Sequence, residues 1–288
     1  TGEKQKVVYL LAGHKEASAN TPGQTGERAG EGFDFAVEGM QRDNYLVRTL
    51  NLAQFGLVPD DAAVVVIAGP KQDLGEADLE ALTEYIMKGG RILALLDPDS
   101  PDSFVLLLAR WGPVVGSLTV ADAVSNVAGE ALTPLIQRAN GQYIGAPELG
   151  IRIVEQIDVT FFPEVAPIST ILPIDEMPLH IAFTPLALTT PVSWLEANVE
   201  EVNFDPEVDQ GGPFVIAATV EATGPIDSAD RHPAARFVIF GDSDFAENRF
   251  FFSSDNADLL LNSVNWLADD YELISIRPKV FPFRELIV

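Results

Sequence analysis

The chain has 288 residues, with 43 Asp and Glu against 18 Lys and Arg, and a formal net charge of −25. A surface this acidic repels phosphate backbones and anionic headgroups, which excludes nucleic acid and acidic lipid as natural partners. The absence of cysteine excludes disulfides, thiolate metal sites and cysteine nucleophiles.

Val7 to Leu11 reads as an apolar strand, followed by Ala12-Gly13-His14-Lys15-Glu16. Residues 18–32 are rich in Gly, Ser, Thr and Asn without periodicity, as a mobile loop would be. Phe33 to Arg42 reads as a helix and Tyr45 to Leu50 as a second strand. The clearest unit is 63–99. Val64 to Ile67 form a continuous apolar run, as a strand covered on both faces requires. Gly69-Pro70 breaks it, and Leu79, Leu82 and Ile86 then fall on one helical face. Glu76 and Asp78 sit in the first turn and Lys88 in the last, matching the helix macrodipole, and Gly89 is placed to stop the helix. Ile92 to Leu96 is the next buried strand, ending in Asp97-Pro98-Asp99. A strand–helix–strand unit of this length implies parallel strands and a right-handed crossover.

Asp102 to Trp111 reads as a helix stopped by Gly112-Pro113, so residues 1–113 form the first part of a doubly wound α/β core. Residues 114–210 are punctuated by Pro163, Pro167, Pro173, Pro178, Pro185 and Pro191, which forbids long helices. They read as a β- and loop-rich elaboration with extended runs at Ile151–Ile157 and His180–Phe183. Residues 211–288 complete the core. They hold strands at 214–220 and 236–240, an apolar helix at 258–267 that buries Leu260, Val264, Trp266 and Leu267, and a short strand at 273–276. Arg277-Pro278-Lys279 and Pro282 then leave the fold. The fold class expected is α/β: a mainly parallel, flavodoxin-like doubly wound sheet with an inserted β- and loop-rich segment.

Several chemistries lack their motifs. The Gly-rich stretch Gly23–Gly32 has no G-x-x-x-x-G-K-[ST], and no G-x-G-x-x-G follows a strand, so ATP belongs to another subunit. Gly241-Asp242-Ser243-Asp244-Phe245 is not G-x-S-x-G. His14, His180 and His232 are the only imidazoles and are scattered, which does not suit zinc. The acidic loop Asp205–Asp209 lacks EF-hand spacing. No cofactor or metal is expected. Apolar runs such as Phe104 to Ala109 are far shorter than the ~20 residues of a membrane span. The start at Thr1 rather than Met suits an excised ectodomain.

Three blocks resemble one family. They are Tyr9 to Glu16, close to a strand-plus-Gly-His-Gly-Glu opening but with Lys15 where Gly is usual; the 63–99 unit with Gly69-Pro70 and Tyr85 to Gly90; and Val238 to Phe245 continued by Asn256, Asn262 to Leu267 and Ile274 to Lys279. Thr190 to Glu196 fits a Thr-x-x-Ser-Trp-x-Glu element. Together they resemble the extracytoplasmic domain of the GldG-like, ABC-transporter auxiliary family, and the resemblance is weakest at 114–180. It implies a membrane-anchored protein with spans outside this domain, ABC permease and ATPase subunits as partners, and gliding motility in some bacteria. It also implies a flavodoxin-like fold related to class I glutamine amidotransferases and to a domain of intraflagellar transport proteins. Carbohydrate binding has been suggested for such domains. It brings no catalytic residues.

In a doubly wound sheet, ligands sit beyond the carboxyl ends of the strands. His14, Glu16, Asp97, Asp242, Ser243 and Asp244 are therefore candidate ligand-binding residues, as a sugar or metal site of carboxylates and one histidine. The competing reading is that Asp97, Asp242 and Ser243 cap helices and tie loops. Trp194, with Ser193 and Glu196, is a candidate sugar-stacking residue, or else core. The expectation is a non-enzymatic, extracytoplasmic ligand-binding or scaffolding domain, alternatively a carbohydrate-active or metal-assisted hydrolase using His14, Asp97 and Asp242. A purely structural assembly module is a third class. Convergence of those three side chains decides whether a hydrolytic site exists.

Overall fold

The computed structural model describes residues 5–19 and 30–276. Most of the glycine-rich loop at 18–32 and the tail from Arg277, Pro282 included, lie outside the described residues. The first part of the core runs β1 (Val7–Ala12), α1 (Asp34–Arg42), β2 (Leu46–Asn51), α2 (Leu52–Phe55), β3 (Ala62–Ala68), α3 (Glu76–Met87), β4 (Arg91–Leu95) and α4 (Asp102–Ala109). Then come eight short strands: β5 (Pro113–Val115), β6 (Thr119–Ala121), β7 (Asn126–Val127), β8 (Glu130–Gln137), β9 (Val159–Phe161), β10 (Ile168–Thr170), β11 (Ile181–Leu188) and β12 (Trp194–Glu196). The chain closes with β13 (Val215–Ala222), β14 (Ala235–Phe240), α5 (Asn256–Leu267) and α6 (Tyr271–Ile276).

The central sheet has the order β2-β1-β3-β4-β14-β13-β10-β5, with β11 also paired to β13. Strands β2, β1, β3, β4 and β14 run parallel, and β13 opens an antiparallel extension. This is the doubly wound, flavodoxin-like α/β fold expected from the sequence, with the order reversing at β1/β3. Alternate residues of each central strand enter separate cores. Val64 and Val66 of β3, Leu93 and Leu95 of β4 and Val238 and Phe240 of β14 face α1 and α5. Val65 and Ile67, Ile92 and Ala94, and Phe237 and Ile239 face α3 and α4. Two buried faces are why these strands read as unbroken apolar runs.

The segment 114–210 is stitched to this frame. It adds β5, β10 and β11 to the central sheet and also forms the small β6–β12 and β7-β8-β9 sheets. Its closest approach is at Ala166, whose backbone N–H donates to Gly241 O at 2.6 Å. A Cβ on Gly241 would stand 1.9 Å from Ala166 O, so only glycine admits this contact.

Two expected elements differ. Residues 153–156 are turns and Ile151 makes an isolated bridge to Ala146, where an extended run was expected. They pack beneath α5, where Asn262 Nδ2 donates to Ile153 O at 3.0 Å and Trp266 Nε1 to Gly150 O at 3.2 Å. The last strand is instead the helix α6. Asp269, at φ +59°, turns the chain back so that Ile274 joins the core beside Leu267. Runs this short carry too little periodicity to separate these outcomes.

Candidate functional site

Four loops meet at the carboxyl edge of the parallel strands, and backbone bonds interlace them. Lys71 N and Gln72 N both donate to His14 O, at 2.9 and 3.0 Å. Ala17 N donates to Ala68 O, Gly69 N to Leu95 O and Leu96 N to Phe240 O, at 2.8, 2.9 and 3.0 Å. Gly69 takes φ +58°, and a Cβ there would lie 2.5 Å from Ser243 Oγ.

Asp97 is the knot of this arrangement. Its Oδ1 accepts from Ser243 N at 2.6 Å, and its Oδ2 accepts from Ser243 Oγ and from Lys71 Nζ, both at 2.9 Å. Lys71 also pairs with Asp99. Burial acts downward on the Lys71 ammonium, but Asp97 and Asp99 outweigh it and hold its pKa above the ordinary lysine value. Asp242 is almost wholly buried and caps the following turn, accepting from Asp244 N and Phe245 N at 2.9 and 3.1 Å. Burial first, then the charges of Asp97 and Asp244, holds its carboxyl well above the carboxylate range.

Beyond this turn, Arg249 bridges two further acids. Its Nη2 lies 2.6 Å from Asp244 Oδ2 and its Nε lies 2.9 Å from Glu247 Oε2. Burial raises Asp244 despite Arg249. Burial, followed by repulsion from Asp244, pushes Glu247 up to about 7. Glu247 is only 6 % exposed. Its Oε2, though within ion-pair reach of Arg249, receives no hydrogen bond in that geometry.

A cleft of about 500 Å³ opens over these groups. Of the candidates named from sequence, Glu16, Asp97, Ser243 and Asp244 line it. His14, Asp242 and Trp194 do not. His14 turns away toward α3 and α4. Its Nδ1 is 3.0 Å from Glu16 Oε1, its Nε2 is 2.9 Å from Asp78 Oδ2, and its ring meets Phe104 edge-on at 5.7 Å. His14, Asp97 and Asp242 thus have separate hydrogen-bond partners, although the Asp97 charge is felt at Asp242. Asp97 and Ser243 tie neighbouring loops, and Asp242 caps the turn that follows it. Among the described residues no group of three or more His, Asp or Glu is placed to hold a metal ion.

Trp194 is buried in the small β6–β12 sheet, against Phe204 at 5.8 Å, with Nε1 donating to Glu196 Oε2 at 3.0 Å. Burial acts upward on Glu196. The hydrogen bonds from Trp194 and from the amides of Asn198, Asn203 and Ala197 overcome it and hold the carboxylate below its ordinary value. A ring enclosed in this way presents no face for sugar stacking.

Sequence reasoning did not single out Lys71, Glu247 or Arg249, which line the cleft. Lys71 follows the Gly69-Pro70 break at a strand end, which is a usable signal. Glu247 and Arg249 lie in an irregular turn with no motif to mark them.

Residues 5–110 match the family model described as ABC-type uncharacterized transport system. The match spans β1 through α4 and so covers the loops that carry Glu16, Lys71 and Asp97. No curated protein sequence matches the chain. Among solved structures, the mmIFT52 N-terminal domain superposes with a TM-score of 0.59 at 15 % identity, covering 91 % of this chain and 97 % of that one. A ThuA-like protein from Parabacteroides merdae gives 0.49 at 9 % identity over 93 % and 91 %. An exo-beta-1,4-mannosidase from an Opitutaceae bacterium gives 0.40 at 12 % identity over 92 % of this chain and 36 % of that one. At 15 % identity the first of these likenesses is one of fold.

Proposed function

We propose that this chain is a non-enzymatic, extracytoplasmic domain of an ABC-type transport system of the gliding-motility-associated kind, anchored by membrane spans outside the sequence described. It binds a small polar ligand at the carboxyl edge of its sheet and passes that state to the permease and ATPase subunits. The observation that carries this reading is the cleft over Asp97, where charged side chains from four loops converge around open space. The family match over residues 5–110 supplies the transport context. Against catalysis stands the pairing of each candidate: Ser243 Oγ donates to Asp97, and His14 is occupied by Glu16 and Asp78.

The test is thermal unfolding against a panel of neutral sugars, sugar acids and organic amines, since a ligand of the native state must raise its stability. A saturable rise in Tm with one class supports a binding domain. No shift with any class leaves scaffolding as the role. Release of nitrophenol from nitrophenyl glycosides would overturn the non-enzymatic reading.

A further inference from the structure

We propose that the cleft at the carboxyl edge recognises an organic cation, a primary ammonium or a guanidinium, with Glu247 and Asp244 as its counter-charges. This rests on the reading of the cleft as a ligand site and adds the ligand's chemical class.

The charge balance of the cleft is the first ground. Glu16, Glu31, Asp97, Asp244 and Glu247 line it, against Lys15, Lys71 and Arg249. Lys71 is already committed to Asp97 and Asp99, and Arg249 to Asp244 and Glu247. The site therefore holds acids in excess of its cations, and its strongest cations are spent on internal pairs. An anion entering here would meet five carboxylates against three cations, two of which are already paired.

The second ground is Glu247 itself. Its side chain is 8 % exposed, it lines the cleft, and its Oε2, though 2.9 Å from Arg249 Nε, is buried without an aligned hydrogen bond. A buried carboxylate oxygen left without a donor is costly, and each such group calls for a specific explanation. An N–H donor bearing positive charge would complete it, and the hydroxyl-free apolar ligands that suit most pockets would not. Burial first, then the charges of Asp244, Glu31 and Asp97, favours the protonated form of Glu247, and Arg249 opposes it.

The experiment is calorimetric titration of the wild-type domain at pH 7 and low salt with putrescine, glucosamine, arginine methyl ester and an acetylated, amidated Gly-Lys-Gly peptide. Glucose and glucuronate are the contrasting probes. The expected result is binding of the amines and not of glucose or glucuronate, with proton release seen as a dependence on buffer ionisation enthalpy. Glu247→Gln should weaken the amines about tenfold, the loss of one charge-assisted hydrogen bond. Proton release is read on the wild-type protein, so the test survives a poorly folded variant. Preference for putrescine or glucosamine over the peptide assigns the cation to a small solute, and the reverse preference to a partner's side chain. Binding of glucose or glucuronate without the amines overturns the cation and leaves the cleft as a ligand site. Amine binding without proton release, or unchanged in a folded Glu247→Gln, places the cation elsewhere and overturns the assignment. Silence from all probes overturns both.

Discussion

Asp97 Oδ1 and the backbone amide of Ser243 lie 2.6 Å apart, which locks the end of β4 to the turn after β14. With the Ser243 hydroxyl on its other oxygen, this carboxylate is 12 % exposed and serves as a structural tie between neighbouring loops. Asp97→Ala should cost about 2–3 kcal/mol, because charge-assisted bonds are lost and the buried Ser243 amide is left without an acceptor. Lys71→Met should cost under ~1 kcal/mol, since its pairs are largely solvated. Urea unfolding of the two variants checks the ranking, and equal costs would argue against the tie.

Stability should fall as pH rises across the neutral range. Glu247 has a folded-state value of about 7 against an ordinary 4.5, so the native state holds its proton more tightly than the unfolded chain. That contribution is fully present below 4.5 and is lost as pH rises through 7. Asp242 acts in the same direction. Thermal unfolding from pH 5 to 8 should show the decline, and Glu247→Gln should flatten it.

Gly241→Ala should be among the most damaging single-methyl changes in the chain. Its added carbon would meet the Ala166 carbonyl at 1.9 Å, and both backbones are held, Ala166 N donating to Gly241 O and Gly241 N to Ile216 O. A cost of about 3 kcal/mol or more is expected from such overpacking. Gly75→Ala, which meets nothing within 4 Å, is the control and should be near neutral. Chemical denaturation of both variants measures the contrast.

Trp194→Phe should reduce stability by about 1–3 kcal/mol, because it leaves the Glu196 carboxylate short of its indole donor in a buried setting. Ligand binding measured on the same variant should be unchanged, since Trp194 does not line the cleft. A loss of affinity without loss of stability would return this ring to the ligand site.

The strands and helices of the parallel core were legible because burial on both faces writes unbroken apolar runs, as at Val64 to Ile67, and because helix α3 carries a regular stripe. The ends of those strands located the cleft. Its composition was less legible. Asp97 and Ser243 sit where expected, but whether a carboxylate caps a loop or faces a ligand depends on neighbours far away in sequence: Asp97 meets Ser243, 146 positions on. His14 looked available because Asp78, which takes its Nε2, lies 64 residues later on α3. Glu247 and Arg249 had no periodicity or motif to betray them. Leu273 to Ile276 became a helix through the turn at Asp269, a backbone choice that three apolar residues and a serine do not encode.

The contact between Ala166 and Gly241 makes residues 114–210 a buttress rather than a graft. Excising them would take β5, β10 and β11 from the central sheet, leave β13 as an uncovered edge and expose the turn beneath Asp242. An engineer seeking a minimal version of this domain should therefore keep the Pro-rich middle intact.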